Sequence, residues 1–305
     1  LALFRWSIGL LVLLAVLYTL KSVSDQLREY DFRIATINYP VLCLAVVCYV
    51  VAMLLSCFFW KLVLKRFGCH PTWKKTLLAF FLSQLGKYVP GKALVIIIRT
   101  DAIRDSQTGT GPAAASVFVE TLTWIFVGSV IACVLTAIQF GEHPAMLWTA
   151  GGLAAIAGLV TLPPVFRYLA TKLTRTSDPQ VFARLDTWTM TKGWLLMTLG
   201  WCFNGLSLWL VLYSLPETDI TLWDYPLTLA CVTLATVAGF VSLLPGGIGV
   251  RELVLIPLLG PRFGTATAVI AAVLIRVVWL SAELFSTAII YISSRPQPAN
   301  PRLSD

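Results

Sequence analysis

The most regular feature of the chain is a series of long apolar runs separated by short polar and charged segments. Because an α-helix rises about 1.5 Å per residue, about 20 apolar residues cross the hydrocarbon core of a bilayer. The pattern therefore predicts an all-α polytopic membrane protein with about six full spans, the first of which is expected to remain uncleaved. The runs of spanning length lie near 3–20, 40–60, 113–138, 145–166, 194–215 and 265–292.

Two further apolar segments, 76–99 and 225–260, are each interrupted by a Pro-Gly step. Proline removes a backbone donor and glycine disfavours a helix, so each break frees backbone groups that lipid cannot satisfy. Such breaks persist in a bilayer only where they line a cavity or pack against protein. The pair predicts two re-entrant hairpins in an inverted-repeat-like arrangement around one midplane site.

The distribution of charge sets the expected orientation. Only 12% of the residues are charged, against about 25% in soluble domains. Loop 61–75 carries five basic residues and no acidic ones, whereas loop 216–224 carries three acidic residues and no basic ones. By the positive-inside rule, we expect a multi-pass protein of the cytoplasmic (inner) membrane with both termini cytoplasmic. The net charge of +8 then reflects topology rather than nucleic-acid binding.

This orientation makes hairpin 76–99 enter from the cytoplasm and hairpin 225–260 from outside. A second reading stays open, in which 225–243 spans fully and 250–260 is a short return segment. We expect residues 1–292 to form a single transmembrane domain and the proline-containing residues 293–305 to be a disordered cytoplasmic tail. The seven cysteines lie mostly in apolar runs, so neither a disulfide framework nor a metal site is expected.

Seven ionisable residues fall at membrane depth, where each costs about 2.5–3.5 kcal/mol at a helix centre. They must pair, face water or bind an ion. We expect three of the cations, Lys87, Lys92 and Arg251, to bind the anion of a headgroup. The other four are expected to form ion pairs that switch between inward and outward states. The alternative is that all the charges only fix packing, and Glu120 and Arg276 could pair in this way. These four residues are Glu120, Glu252, Arg276 and Glu283.

The two breaks are expected to build the binding site, because the N-terminus of a half-helix offers free N–H groups and a positive dipole to an anion. This pattern is specific for an anion but not for a lipid. The chain has no Walker loop, HExxH motif or nucleophile elbow, and its two histidines lie in loops, so we expect no catalytic residues and no cofactor. The predicted binding residues are Lys87, Pro90, Gly91, Lys92, Arg99, Pro245, Gly246, Gly247, Gly249 and Arg251.

Both breaks lie in stretches that resemble a known family. The run from Ser83 to Lys92, followed by Arg99 and Glu120, resembles the first block of the lysylphosphatidylglycerol synthase transmembrane family. The run from Leu244 to Glu252, followed by Arg276, resembles the second block and is the more specific of the two. The resemblance covers nearly the whole chain, and the family includes the flippase half of the bacterial multiple peptide resistance factor. It implies a helical membrane domain with re-entrant segments that moves lipid between leaflets.

Bifunctional members of that family carry a cytosolic aminoacyltransferase domain after the membrane part, and this chain reads to Asp305 without one. The expectation is therefore a stand-alone flippase or transporter for an anionic, phosphate-bearing lipid or glycolipid. An integral-membrane enzyme or accessory subunit in polyprenyl-phosphate or glycolipid metabolism is the alternative, and a scaffold with paired charges is the third reading. The expected partner is a membrane lipid with an anionic headgroup, while a homo-oligomer and a partner enzyme of lipid modification stay open.

Overall fold

The described part of the chain is helical throughout. The computed structural model describes residues 36–88, 93–103, 109–139, 184–216, 218–242 and 244–294, and isolated positions outside these ranges. These ranges contain no β-strand, and the predicted spans 3–20 and 145–166 and the tail from 295 lie outside them. The helices are α1 Tyr39–Arg66, α2 Trp73–Gln84, α3 Ala93–Ile103, α4 Thr110–Gln139, α5 Thr187–Tyr213, α6 Tyr225–Val241, α7 Val250–Phe263 and α8 Thr265–Ser293, with short 3-10 turns at Leu85–Tyr88, Leu222–Asp224 and Pro245–Gly247.

Five helical segments are long and apolar enough to cross a membrane: α1, α4, α5, α8 and the segment Leu222–Val241. The first four confirm the apolar runs 40–60, 113–138, 194–215 and 265–292 as helices of spanning length. The fifth contains α6, so a full crossing by this segment stays open. The total number of spans and the re-entry of the two hairpins into a bilayer remain predictions.

Polar caps fix where these apolar helices begin, because a helix that is apolar on every side has no pattern of its own to set its start. The Thr72 hydroxyl accepts from the Lys75 N–H at 3.3 Å at the start of α2. The Asp186 carboxylate accepts from the Thr189 N–H at 3.1 Å at the start of α5. The hydrogen bonds from Thr189, led by its side chain, and the nearby Arg66 lower the pKa of Asp186 below its usual value.

Helices α1 and α5 lie antiparallel and define the two ends of the bundle. At one end, which we call the Ser214 end, the Asn38 N–H donates to the Ser214 carbonyl oxygen at 2.9 Å. At the other, the Asp186 end, Arg66 Nη2 lies 3.3 Å from Asp186 Oδ2. The remaining helices are placed relative to these two contacts.

Helices α2 and α3 form a hairpin with its base at the Asp186 end. Lys61, near the end of α1, donates to Thr76 Oγ1 at 3.3 Å. Lys75 Nζ donates to the carbonyl oxygen of Ile103 at 3.4 Å, which brings the start of α2 to the end of α3. With 12 and 11 residues, each helix is under about 20 Å long, shorter than a hydrocarbon core of about 30 Å.

Helices α6 and α7 form a second hairpin with its base at the Ser214 end. Arg262 at the end of α7 donates to Asp224 Oδ1 at 2.8 Å and to the Asp219 carbonyl oxygen at 2.8 Å. Trp209 in the last turns of α5 donates to the carbonyl oxygen of Thr221 at 2.9 Å. The two hairpins therefore enter the bundle from opposite ends.

The tips of the two hairpins meet inside the bundle. A Cβ added at Gly246 in the second tip would lie 3.1 Å from ring atoms of Tyr88 in the first tip. Helix α8 runs past both tips and packs on α1, α2 and α7. The residues of the two Pro-Gly segments that the structure describes are thus neighbours in space.

Candidate functional site

A cavity of about 440 Å³ opens beside the meeting point of the two tips. Its volume falls in the range of small-molecule and cofactor sites, about 300–1,000 Å³. Aliphatic and aromatic side chains form most of its wall. The charged residues among the wall residues that the structure describes are Lys87, Arg99, Glu120 and Arg251.

The second break is a run of glycines that gives Arg251 its position. Gly246, Gly247 and Gly249 have φ angles of 59°, 70° and 81°, a region that side chains with a Cβ rarely adopt. A Cβ at Gly247 would lie 3.0 Å from Arg251 Nε, and one at Gly239 in α6 would lie 2.9 Å from Arg251 Cγ. The bare backbone therefore makes the space in which the Arg251 side chain lies, at the wall of the cavity.

The first break is described only up to Tyr88. Pro90, Gly91 and Lys92 lie outside the described residues, so their predicted roles stay predictions. Lys87 lines the cavity and forms an ion pair with Glu283 of α8. The Glu283 side chain is fully buried and also accepts hydrogen bonds from two tyrosine hydroxyls. These are Tyr49 Oη at 2.6 Å and Tyr88 Oη at 3.1 Å.

Arg99 and Glu120 form a second buried pair, with 2.7 Å between Nη1 and Oε2. Arg99 Nε also donates to Ser83 Oγ at 2.8 Å, and its guanidinium lies 4.2 Å from the Phe80 ring centroid. The Ser56 hydroxyl donates to the other carboxylate oxygen of Glu120. Arg99, which was predicted as a headgroup ligand, is thus paired with protein groups and also lies on the cavity wall, and its predicted role stays a prediction.

The third pair joins Arg276 of α8 to Glu252 of α7, with 2.6 Å between Nη1 and Oε1. The pairing of Glu120 with Arg276 that the sequence permitted is therefore absent. Glu120 instead pairs with Arg99 of the neighbouring hairpin, and Arg276 pairs with Glu252 in the first turn of α7. Sequence distance could not reveal this, because the hairpin tips bring the partners together.

Arg251 is the cation left over from these three pairs. Within the part of the chain that the structure describes, it makes no ion pair, and its buried Nε has no hydrogen-bond partner. Its guanidinium carbon lies 5.1 Å from the ring centroid of Trp279, which is a favourable cation–π arrangement. The described part of the site thus holds four cations and three carboxylates, and the unpaired positive charge lies at the cavity wall.

Three further polar groups on the cavity wall are buried without a partner among the described residues. They are Asn204 Oδ1 of α5, Thr236 Oγ1 of α6 and Trp279 Nε1 of α8. Buried polar atoms in native structures are usually hydrogen-bonded, and an unmade bond costs about 1–3 kcal/mol. The three residues line the cavity, but these atoms are themselves buried from solvent.

Sequence reasoning missed Tyr49, Tyr88, Asn204 and Thr236. Tyrosine in an apolar run gives no signal, since it also occurs in the aromatic belt of membrane proteins. Asn204 in the apolar run 194–215 was a signal that went unused, because an amide within a span needs a partner. Among the described residues, no group of three or more His, Cys, Asp or Glu side chains could hold a metal ion.

The comparison with known families decides the broad class. Residues 6–282 match the lysylphosphatidylglycerol synthase TM region. The chain belongs to this family. No curated protein matches this chain. The matched range contains both Pro-Gly segments and the Arg99–Glu120 and Arg276–Glu252 pairs, and it ends one residue before Glu283. Membership confirms the family that the two sequence blocks predicted. It also supports a membrane protein with a lipid-related role.

Proposed function

We propose that this protein is a lipid flippase or transporter, which moves an anionic, phosphate-bearing lipid or glycolipid between the leaflets of the membrane without covalent chemistry. The observation that carries the proposal is Arg251, a cation without a carboxylate partner at the wall of a cavity of about 440 Å³. An unpaired cation at membrane depth costs about 2.5–3.5 kcal/mol. A protein retains such a cost where the charge has a use, and a phosphate would provide the missing counter-charge.

The arrangement of the hairpins supports transport in particular. Their tips meet beside the cavity and their bases lie at opposite ends of the bundle. This is the arrangement that alternating access around a midplane site requires. In the proposed topology, the Asp186 end faces the cytoplasm, because the basic loop 61–75 lies there.

The enzymatic alternative needs a carboxylate free to act as a base beside a bound phosphate. Glu120 is the carboxylate on the described cavity wall, and both of its oxygens accept hydrogen bonds, from Ser56 and Arg99 respectively. Glu283 is bound to Lys87, and Glu252 is bound to Arg276 through Oε1. Glu252 Oε2 has no hydrogen-bond partner among the described residues, but Glu252 is not one of the described wall residues. This engagement of the carboxylates favours transport over catalysis.

Reconstitution tests the proposal. The purified protein is placed in vesicles with a fluorescent phosphatidylglycerol, and a membrane-impermeant quencher reports the fraction of label in each leaflet. We expect the wild type to accelerate exchange between leaflets. We expect Arg251→Gln to slow it about 10–100-fold, because a hydrogen bond to a charged group is worth about 1.5–3 kcal/mol.

The matched control is Arg66→Gln, which removes a cation whose ion pair is exposed and lies outside the cavity. It should exchange lipid like the wild type. Arg251→Gln should also fold about as stably as the wild type, because it removes a buried cation that has no ion-pair partner among the described residues and loses only the cation–π contact with Trp279. An exchange rate in wild-type vesicles equal to that of empty vesicles would overturn the proposal. A covalent change of the lipid, detected by mass spectrometry of the same vesicles, would favour the enzyme.

A further inference from the structure

One face of α1 is exposed and lies away from the cavity. Its large apolar side chains are each 42–54% exposed, and their spacing places them on one side of the helix. The α1 residues that line the cavity lie on the opposite side, about half a helical turn round. Helix α1 therefore separates this face, which we call the outer face, from the cavity. The outer face consists of Leu44, Val47, Leu54 and Phe58.

The outer face ends in aromatic rings and cations toward the Asp186 end. Trp73 at the start of α2 stacks on Phe58, with 5.8 Å between the ring centroids, and is itself about half exposed. Lys61 Nζ lies 5.1 Å from the centroid of the Trp73 ring. Lys65, one turn beyond Lys61 on the same side of α1, is exposed. An apolar strip thus leads to a pair of rings and then to two ammonium groups.

The dimensions of this surface match one leaflet of a bilayer. Val47 and Phe58 are 11 residues apart, which is about 16 Å along the helix axis. One half of a hydrocarbon core of about 30 Å is about 15 Å thick. A lipid whose acyl chains lie along the outer face would therefore place its glycerol beside the two rings and its phosphate beside Lys61 and Lys65.

The charge of this region favours an anionic headgroup. Loop 61–75 carries five basic residues and no acidic ones. An ammonium has three donors, and Lys61 uses two of them at the base of the first hairpin, toward Thr76 Oγ1 at 3.3 Å and toward the Pro71 carbonyl oxygen. The third has no acceptor among the described residues and can donate to a phosphate. A zwitterionic headgroup brings an ammonium of its own beside these lysines and gains less.

We propose that this surface binds an anionic phospholipid of the leaflet at the Asp186 end, at a site separate from the cavity. Lys61 and Lys65 hold the phosphate, the rings of Phe58 and Trp73 flank the glycerol, and the acyl chains lie on the outer face. Because Lys61 also binds the base of the first hairpin, the bound lipid secures the junction of α1 and α2. The proposal does not depend on the proposed function, since a transporter and an enzyme could both hold such a lipid.

Quenching of Trp73 fluorescence tests the proposal on the full chain in phosphatidylcholine vesicles. Bromine on the upper part of the acyl chains quenches a tryptophan in contact with that lipid. The chain has 11 tryptophans, so the difference between the wild type and Trp73→Phe isolates the signal of Trp73. Brominated phosphatidylglycerol and brominated phosphatidylcholine, each titrated as a mole fraction, give the relative affinity. We expect phosphatidylglycerol to be preferred about 25-fold, about fivefold for each lysine.

Lysine variants identify the residues that cause the preference. Lys65→Gln should lower it about fivefold. Lys61→Gln should do the same but also loosens the base of the hairpin, so Lys65→Gln is the decisive variant. The matched control is Lys192→Gln, which removes a lysine at the same end of the bundle whose Nζ lies 4.9 Å from the ring centroid of Trp188 in α5. It should leave the preference at Trp73 unchanged.

Three outcomes would overturn the proposal. The first is equal quenching of Trp73 by the two lipids, and the second is an equal loss of preference in Lys192→Gln and Lys65→Gln, which would indicate general surface charge. The third is displacement of the brominated lipid by inorganic phosphate, which would indicate an ion site. The measurement reports contact at Trp73 and not exchange between leaflets. A preference without exchange would therefore support this site and refute lipid transport, and exchange without a preference would do the reverse.

Discussion

Removal of one partner from the buried Arg99–Glu120 pair should destabilise the protein strongly. The two side chains are 2% and 7% exposed, with 2.7 Å between Nη1 and Oε2. A single substitution leaves an uncompensated charge in the interior of the bundle, which costs about 3–5 kcal/mol. We therefore expect Arg99→Met and Glu120→Leu each to lower the free energy of unfolding by about this amount. Glu120→Leu also removes the acceptor of the Ser56 hydroxyl, and Arg99→Met removes the N–H that donates to Ser83 Oγ.

Two comparisons make the magnitude decisive. The double variant Arg99→Met/Glu120→Leu should be more stable than either single variant, because it leaves no charge buried. The exposed pair Arg66–Asp186 is the control, with side chains 43% and 44% exposed. Exposed pairs are worth at most about 1 kcal/mol, so Arg66→Met should cost no more than that.

Reversible unfolding of the full chain in mixed detergent micelles, followed by circular dichroism, provides the assay. A loss of unfolding free energy in Arg99→Met no larger than that in Arg66→Met would contradict the prediction. A loss in the double variant equal to the sum of the two single losses would also contradict it, since the two residues would then contribute independently.

A second prediction concerns the packing of α1 on α5. Gly193→Ala places a Cβ against the buried Phe59 ring and should lower the free energy of unfolding by about 1–3 kcal/mol. For Gly200→Ala the nearest contact would be 3.6 Å away, so this change should cost less than half as much. Equal losses would contradict the packing. A third prediction concerns the orientation in the membrane and is tested with Lys74→Cys and Asp219→Cys, each in a chain otherwise free of cysteine. In intact cells a membrane-impermeant thiol reagent should modify the second variant and not the first, and the reverse pattern would invert the proposed orientation.

The long helices and the two breaks could be predicted from sequence because their signals are local. An apolar run of spanning length predicts a helix whatever surrounds it. The Pro245-Gly246 step predicts that no helix runs through it, since proline lacks an N–H and glycine disfavours a helix, and α6 ends shortly before it at Val241. The same reasoning identified the hairpin 225–260, although it could not decide whether α6 crosses the membrane.

The ion-pair partners could not be predicted, because they depend on how each helix is rotated about its axis. Helices that are apolar on all sides carry no amphipathic pattern that reveals this rotation. Glu120 was free to meet Arg276 or Arg99 by sequence, and only the position of the first hairpin selects Arg99. The hydrogen bonds from Tyr49 and Tyr88 to Glu283 could not be predicted for the same reason.

Helix α8 explains how one site can involve both hairpins. Arg276 binds Glu252 beside the second tip, and Glu283 binds Lys87 in the first tip. These two α8 residues are two turns apart on one face, with Trp279 between them beside Arg251.

Each hairpin tip is therefore held to the same helix by an ion pair that is neutral overall, and Arg251 is the described charge that stays uncompensated. In the proposed mechanism, a phosphodiester bound at Arg251 would cancel that charge, so that the described part of the site would be neutral when loaded and positive when empty. The loaded site would then place no net charge among its described residues in the low-dielectric interior, whereas the empty site does. In the proposed mechanism the anionic headgroup is thus both the cargo and the counter-charge that makes its own movement favourable.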